Sequence, residues 1–223
     1  MTTDVRRGRW QGGTGGQART RLARTAVVQA ARTLFLERGY PGTTIEAISE
    51  LSDVPPATVY RLFSSKLGIL RALLDVSVAG DDDDIPVEER PFVRAILADP
   101  DPRKQLSGFV GVTSGIQSRT EPVYRILVGA AGSDPDAAAL LAERTRHRQQ
   151  NQSRIARHLA RAGALRQELR EREAADIIHA LMSPEVYRLL VGDRGWTREQ
   201  YEQWLKGILI DQLLPPPASG TSA

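Results

Sequence analysis

Thr43-Thr44-Ile45-Glu46-Ala47-Ile48-Ser49-Glu50-Leu51-Ser52-Asp53-Val54-Pro55-Pro56-Ala57-Thr58-Val59-Tyr60-Arg61-Leu62-Phe63 is the stretch on which the fold turns. It reads as two short helices joined by a tight turn. Ile45, Ile48 and Leu51 recur at i, i+3 and i+6, which sets one apolar stripe along the first helix. Thr43 and Thr44 stand ahead of it as N-caps, with Glu46 three residues after Thr43 at the spacing of a capping box. Ser52-Asp53 breaks the pattern, and Asp tolerates a turn or left-handed conformation better than most residues. Val54, Val59, Leu62 and Phe63 can fold back on the same core. Pro56, Ala57, Thr58, Tyr60 and Arg61 then face outward. That outward set is small and polar, with one aromatic ring and one cation. Such a helix can approach a nucleic-acid groove, touch a thymine methyl with Ala57 and reach phosphates with Thr58, Tyr60 and Arg61.

The flanks narrow the reading. Upstream, Ala30-Ala31, Leu34-Phe35 and Gly39-Tyr40 precede Thr43-Thr44-Ile45 and Ile48; downstream, Thr58-Val59-Tyr60 and Phe63 lead to Ser65-Lys66 and Leu70. In this combination the chain resembles the TetR family of dimeric transcriptional repressors over roughly residues 20–75, while the remainder matches only as helical sequence of suitable length. The resemblance implies a three-helix DNA-binding head, a helical ligand-binding and dimerisation body, and a phosphate contact at Lys66. The candidate DNA-binding set is Thr43, Thr44, Pro56, Ala57, Thr58, Tyr60, Arg61 and Lys66. Two positions depart from the family pattern: Ser52-Asp53 stands where Ala-Gly is usual, and Pro55 where a serine cap is usual. Losing a side-chain cap costs roughly 1 kcal/mol, which Pro56 in the first helical turn partly offsets.

The 223 residues are 41% hydrophobic and 26% charged, ordinary for a globular chain with room for a good core. Cysteine is absent, so disulfides and thiolate metal sites are excluded. There is no apolar run of the ~18 residues a membrane helix needs. Arg6-Arg7 is followed by glycine and glutamine and not by a secretory core, so the reading is cytoplasmic. Net charge is only +3, but residues 1–40 hold eight arginines against Asp4 and Glu37. A basic front end on a mildly acidic remainder suits a protein that meets DNA with one end.

Taken in order, residues 1–18 lack any apolar period and read as a disordered basic arm, either tracking DNA or simply solvated. Gly13 and Gly15 imitate a dinucleotide fingerprint with no strand before them. Helix one is expected over 20–38 with Val27, Ala30, Ala31, Leu34 and Phe35 inward, ended by Gly39. A further helix begins near Ser65 with Leu67, Leu70, Leu73 and Leu74 inward. The run Asp81 to Asp84, followed by Pro86 and Pro91, reads as a solvated loop, because a calcium site needs further oxygens at set spacing. The head is therefore assigned to 19–81, the body to 82–214 and a disordered tail to 215–223.

The body is expected to be all-α: helices near 90–98, 102–119, 122–131, 134–162, 172–191 and 197–214. The fourth has apolar ends around a polar centre from Arg144 to Arg154, read as a solvated face or, as the alternative, a wall for a polar effector. The last two are more apolar than their own core needs. Paired about a two-fold axis they make a four-helix bundle through Ile178, Met182, Val186, Trp204, Leu205, Ile208 and Leu209. Polar or aromatic groups interrupting apolar faces suggest an effector pocket at Phe109, Thr113, Gln117, Tyr124, His179 and Tyr187.

Catalytic arrangements are not found. His147, His158 and His179 lack metal-ligand spacing, and Gly111-Val112-Thr113-Ser114-Gly115 has Thr where a nucleophile elbow needs Ser. No catalytic residue, metal or cofactor is predicted. The expected function is a homodimeric regulator of an operator in double-stranded DNA, released by a small-molecule effector. An activator with the same head, or a helical small-molecule-binding or enzymatic protein whose basic head is incidental, are the alternatives.

Overall fold

The computed structural model describes residues 14–80 and 87–216, and every regular element among them is helical, as the pattern requires. None of these helices is long and apolar enough to cross a membrane. The chain divides into two compact units, 1–73 and 74–223. The boundary expected near residue 82 and the aspartate run fall among residues outside those described, as do residues 1–13 of the basic arm and the tail from 217.

The first unit contains α1 (Thr14–Arg38), α2 (Ile45–Ser52), α3 (Pro56–Phe63) and the start of α4 (Lys66–Ala79). Helix α1 begins six residues earlier than expected, so residues 14–18, read as arm, are helical. Val27, Ala30, Ala31, Leu34 and Phe35 are all buried at the predicted spacing. Gly39 closes α1 at φ 70°, its N–H donating to Phe35 O at 3.0 Å, which is the left-handed cap glycine serves. The N-cap of α2 is Thr44, whose hydroxyl accepts Ala47 N–H at 3.1 Å. The Thr43–Glu46 capping box is therefore not formed, because Thr43 is turned into the core. Asp53 takes the left-handed position (φ 53°) where the family usually has glycine.

One stripe position was misassigned: Leu51 is 54% exposed. Ser49 is buried in its stead, its hydroxyl donating to Val54 O at 2.6 Å across the turn. Helix α3 buries Val59 and Phe63 and begins without a side-chain cap, Pro55 and Pro56 supplying the extended entry and first turn. At the start of α4, Gly68 lies so close to Phe63 O that a Cβ there would overlap it. Its N–H takes Ser65 Oγ at 3.0 Å, the cap expected of that serine.

The second unit contains a 3-10 turn (Val87–Glu89), α5 (Pro91–Ala98), α6 (Pro102–Ala131), α7 (Pro135–Arg161), α8 (Glu171–Leu181), α9 (Pro184–Tyr187) and α10 (Arg198–Leu213). Its core is built from Leu106 and Val110 of α6, Ile155 and Leu159 of α7, Ile178 of α8, and Tyr201, Leu205 and Leu209 of α10. Two expectations are corrected. The helices expected at 102–119 and 122–131 are one, running through Pro122. A proline inside a helix costs about 3 kcal/mol; burial of Val123, Leu127 and Ala130 just beyond it offsets that. The helix expected over 172–191 is instead broken after Leu181. Pro184 has no N–H to continue the ladder, and Ser183 caps the new turn by accepting Val186 N–H at 3.2 Å. Tyr187 then leads into a widened turn over Arg188–Asp193. The carbonyl released at Met182 is taken up by Gln117 Nε2 at 2.9 Å and Gln152 Nε2 at 3.4 Å.

Candidate nucleic-acid interface and ligand cavity

On α3, Pro56, Ala57, Tyr60 and Arg61 are exposed, Tyr60 to 48%, and Thr58 is half-buried. These positions fall at i, i+1, i+4 and i+5, one side of a helix whose other side is sunk at Val59 and Phe63. The result is a shallow face with a proline ring, a methyl, a phenol and a guanidinium. It meets the steric and chemical needs of an element read into a major groove. Thr44 is exposed beside the N-terminus of α2, its hydroxyl occupied in capping.

Two members of the predicted set do something else. Thr43 is wholly buried, its hydroxyl 3.1 Å from Leu34 O and 2.8 Å from Gly39 O, so it ties the end of α1 to the start of α2. Lys66 is half-buried, and its ammonium donates to Tyr40 O at 2.7 Å and Thr43 O at 2.8 Å while lying 4.3 Å from the Tyr40 ring centre. These two hydrogen bonds hold the α1–α2 connection, a fastening role that the resemblance, which implies a phosphate contact at Lys66, does not include. A third fastener was not foreseen: Arg24 of α1 sits 4.8 Å over the Phe63 ring and reaches Leu62 O at 3.5 Å, pinning the end of α3. Nothing in the sequence pattern marks Arg24 as different from the other arginines of α1.

The second unit encloses a cavity of about 380 Å³, within the range of small-molecule sites. One wall is apolar, from Val93, Ile96 and Leu97 of α5 and Phe109, Val112 and Ile116 of α6. Helix α7 contributes the polar part of the lining, with Arg144, His147, Arg148, Asn151, Gln152 and Arg154. The polar centre of α7 therefore lines a cavity through these residues, while Arg146, Gln149 and Gln150 are exposed and outside the lining, so the stretch is both a cavity wall and a solvated face. Of the candidate pocket residues, Phe109, Thr113, Gln117 and Tyr124 line it. His179 and Tyr187 do not. His179 stands behind the wall, its Nδ1 2.8 Å from Gln152 Oε1, so that nitrogen carries the proton. Burial, and next the charge of Arg148, hold its pKa below the ordinary 6.5. Tyr187 is core, edge-on to Tyr201 at 4.9 Å, and burial pushes the Tyr201 phenol upward.

Arg144 and Arg148 differ in their partners. Arg144 pairs with Asp75 at 2.7 Å. Arg148 has no ion-pair or hydrogen-bond partner among the described residues, and its Nε is buried without an acceptor. A buried donor left unsatisfied costs roughly 1–3 kcal/mol.

The seven residues assigned to a dimer contact divide in two. Ile178, Met182, Leu205 and Leu209 are wholly buried within the protomer, so they form its core and cannot touch a partner. Val186, Trp204 and Ile208 remain partly exposed, and Leu189 is half-exposed.

Residues 27–73 match the family described as bacterial regulatory proteins, tetR family. Over those residues the chain carries a domain of the tetR family. It is a DNA-binding regulator of transcription. The HTH-type transcriptional regulator YdeS of Bacillus subtilis (strain 168) is 28% identical over 203 residues, covering 86% of this chain and 93% of that one. The HTH-type transcriptional regulator TcmR of Streptomyces glaucescens is 28% identical over 150 residues, 65% and 62% of the two chains. Among solved structures, NalD, the secondary repressor of the MexAB-OprM multidrug efflux pump in Pseudomonas aeruginosa, superposes with a TM-score of 0.68 at 20% identity, covering 89% of this chain and all of that one. The fatty acid degradation regulator FadR of Bacillus halodurans superposes at 0.61 with 17% identity, covering 83% and 93%. At these identities the superpositions speak for the fold. The family match ends at Leu73, where the first compact unit also ends.

Proposed function

We propose that this chain is a homodimeric repressor whose α3 enters the major groove of a palindromic operator and whose second-unit cavity takes the effector that releases it. The observation that carries the reading is the α3 face: Pro56, Ala57, Tyr60 and Arg61 exposed on a helix held at its two ends by Ser49 and Arg24, with Thr43 and Lys66 tying α1 to α2 beside it. A helix presented rigidly loses little freedom on binding, so its contacts go into recognition. In this reading residues 19–81 form the head and 82–214 the body. Ala57 and Pro56 meet base edges, and Thr58, Tyr60 and Arg61 meet phosphates. Dimerisation uses Val186, Trp204, Ile208 and the exposed Leu189, with the buried positions of α8 and α10 as support. Two heads then address successive major grooves about 34–36 Å apart. Release by an effector needs about 5.5 kcal/mol of differential affinity to move the population from nearly all competent to nearly all incompetent.

The test is an electrophoretic titration of the chain against the DNA upstream of its own coding region. The expected result is saturable, salt-sensitive binding that Tyr60→Ala and Arg61→Ala each weaken at least tenfold with folding intact. Binding that ignores both substitutions would remove α3 as the reading element.

A further inference from the structure

The cavity walls are unequal in charge, and that inequality bears on what the cavity holds. Its described lining carries Arg144, Arg148 and Arg154, and no aspartate or glutamate. Asp75, outside the lining, compensates Arg144. Arg148 stays uncompensated among the described residues, with a donor already stripped of water. The same lining holds the aliphatic side chains of α5 and Phe109, Val112 and Ile116 of α6. A cationic ligand would meet like charge here. A neutral apolar one would leave the Arg148 donor as orphaned as before. A neutral polar ligand could accept one N–H, but an anion supplies acceptors and balances the charge as well, and a guanidinium grips carboxylate or sulfonate oxygens in a fixed planar fork.

Resting on the effector reading above, we propose that the cavity selects a compact apolar molecule bearing one anionic group, with that group held by Arg148. The apolar body lies against α5 and α6, and the charge sits at the α7 wall. Arg148 is thereby the specificity-determining residue of the site. The same guanidinium already bears on His179 through its charge, so neutralising it by a bound anion is felt at α8 as well.

A matched pair of fluorescent probes tests this on the full chain. 1-Anilinonaphthalene-8-sulfonate carries an anionic group, and N-phenyl-1-naphthylamine is the same ring system without it. Fluorescence titrations are run with the native protein, Arg148→Gln, Arg148→Lys and the cavity-filling Ile116→Trp, each checked by circular dichroism. Arg148→Gln is expected to weaken the sulfonate by about tenfold or more and leave the neutral probe within about twofold. Arg148→Lys should restore part of the loss, as a point charge without the fork. Ile116→Trp should displace both probes. If Arg148→Gln weakens neither probe, or both equally, the anion assignment is overturned while the cavity stands as a site. If Ile116→Trp folds and both probes bind it as before, the cavity reading itself fails. Should Ile116→Trp not fold, Val112→Phe on the same face takes its place.

Discussion

Replacing Lys66 by methionine separates two roles that a family resemblance runs together. The substitution keeps the stem and removes the ammonium. In the structure that ammonium donates to Tyr40 O at 2.7 Å and Thr43 O at 2.8 Å, and lies 4.3 Å from the Tyr40 ring centre. Hydrogen bonds from a charged donor contribute roughly 1.5–3 kcal/mol each where burial is deep, and a partly desolvated cation–π contact about 0.5–2 kcal/mol. Lys66 is only half-buried, and methionine recovers some apolar packing. The expected loss is therefore about 2–4 kcal/mol of local stability. Amide hydrogen exchange of α2 and α3 in the intact chain measures it, because opening of the head appears there as lost protection. The salt dependence of DNA binding gives the second reading. A lysine on a phosphate contributes about one unit of slope in log K against log salt. The structure predicts weakened protection in α2 and α3 with the slope unchanged. Protection kept within about 0.5 kcal/mol, with the slope reduced by about one per protomer, would refute the fastener role.

Other outcomes follow from the same geometry. Gly68→Ala would press a Cβ onto Phe63 O, so α4 must move; the expected loss is about 3 kcal/mol or more, read as a lowered urea midpoint with no change in slope. Arg61→Gln, on an exposed side chain of α3, should leave stability within about 0.5 kcal/mol and lower the salt slope of DNA binding by about one per protomer. His179 has its pKa held below 6.5 in the fold, by burial first and Arg148 second. The folded state then binds fewer protons than the unfolded one, so stability conferred above about pH 6.5 is lost as pH falls towards and through the folded value. His179→Asn should flatten that part of the thermal stability profile, and a profile unchanged by the substitution would contradict it.

Much of the head was legible because its periodicity is simple. Val27, Leu34 and Phe35 of α1 and Val59 and Phe63 of α3 sit where apolar spacing puts them, and the outward face of α3 follows by subtraction. Spacing failed where a polar side chain does a core residue's work. Thr43 and Ser49 are buried because their hydroxyls satisfy local carbonyls, and a hydropathy pattern cannot see that. Leu51 came out exposed for the complementary reason: Ser49, not Leu51, completes the buried side of α2. The long helices failed differently. Pro122 reads as a stop, yet burial beyond it carries α6 through; Pro184 does stop α8, since glutamines from two neighbouring helices wait at the freed Met182 carbonyl. That difference is tertiary. The polar centre of α7 was ambiguous for the same reason, since a solvated face and a cavity wall have the same composition. Ile178, Met182, Leu205 and Leu209 were assigned to a partner because an apolar helix face does not say which neighbour buries it.

The central claim is that α3 reads DNA through its exposed face. Hydroxyl-radical footprinting of the upstream DNA tests it most directly. Two protected patches about one helical turn apart or more, related by a two-fold axis and lost together in Tyr60→Ala, are what the account predicts. Protection without two-fold symmetry, or the same footprint from the Tyr60→Ala protein, would contradict it.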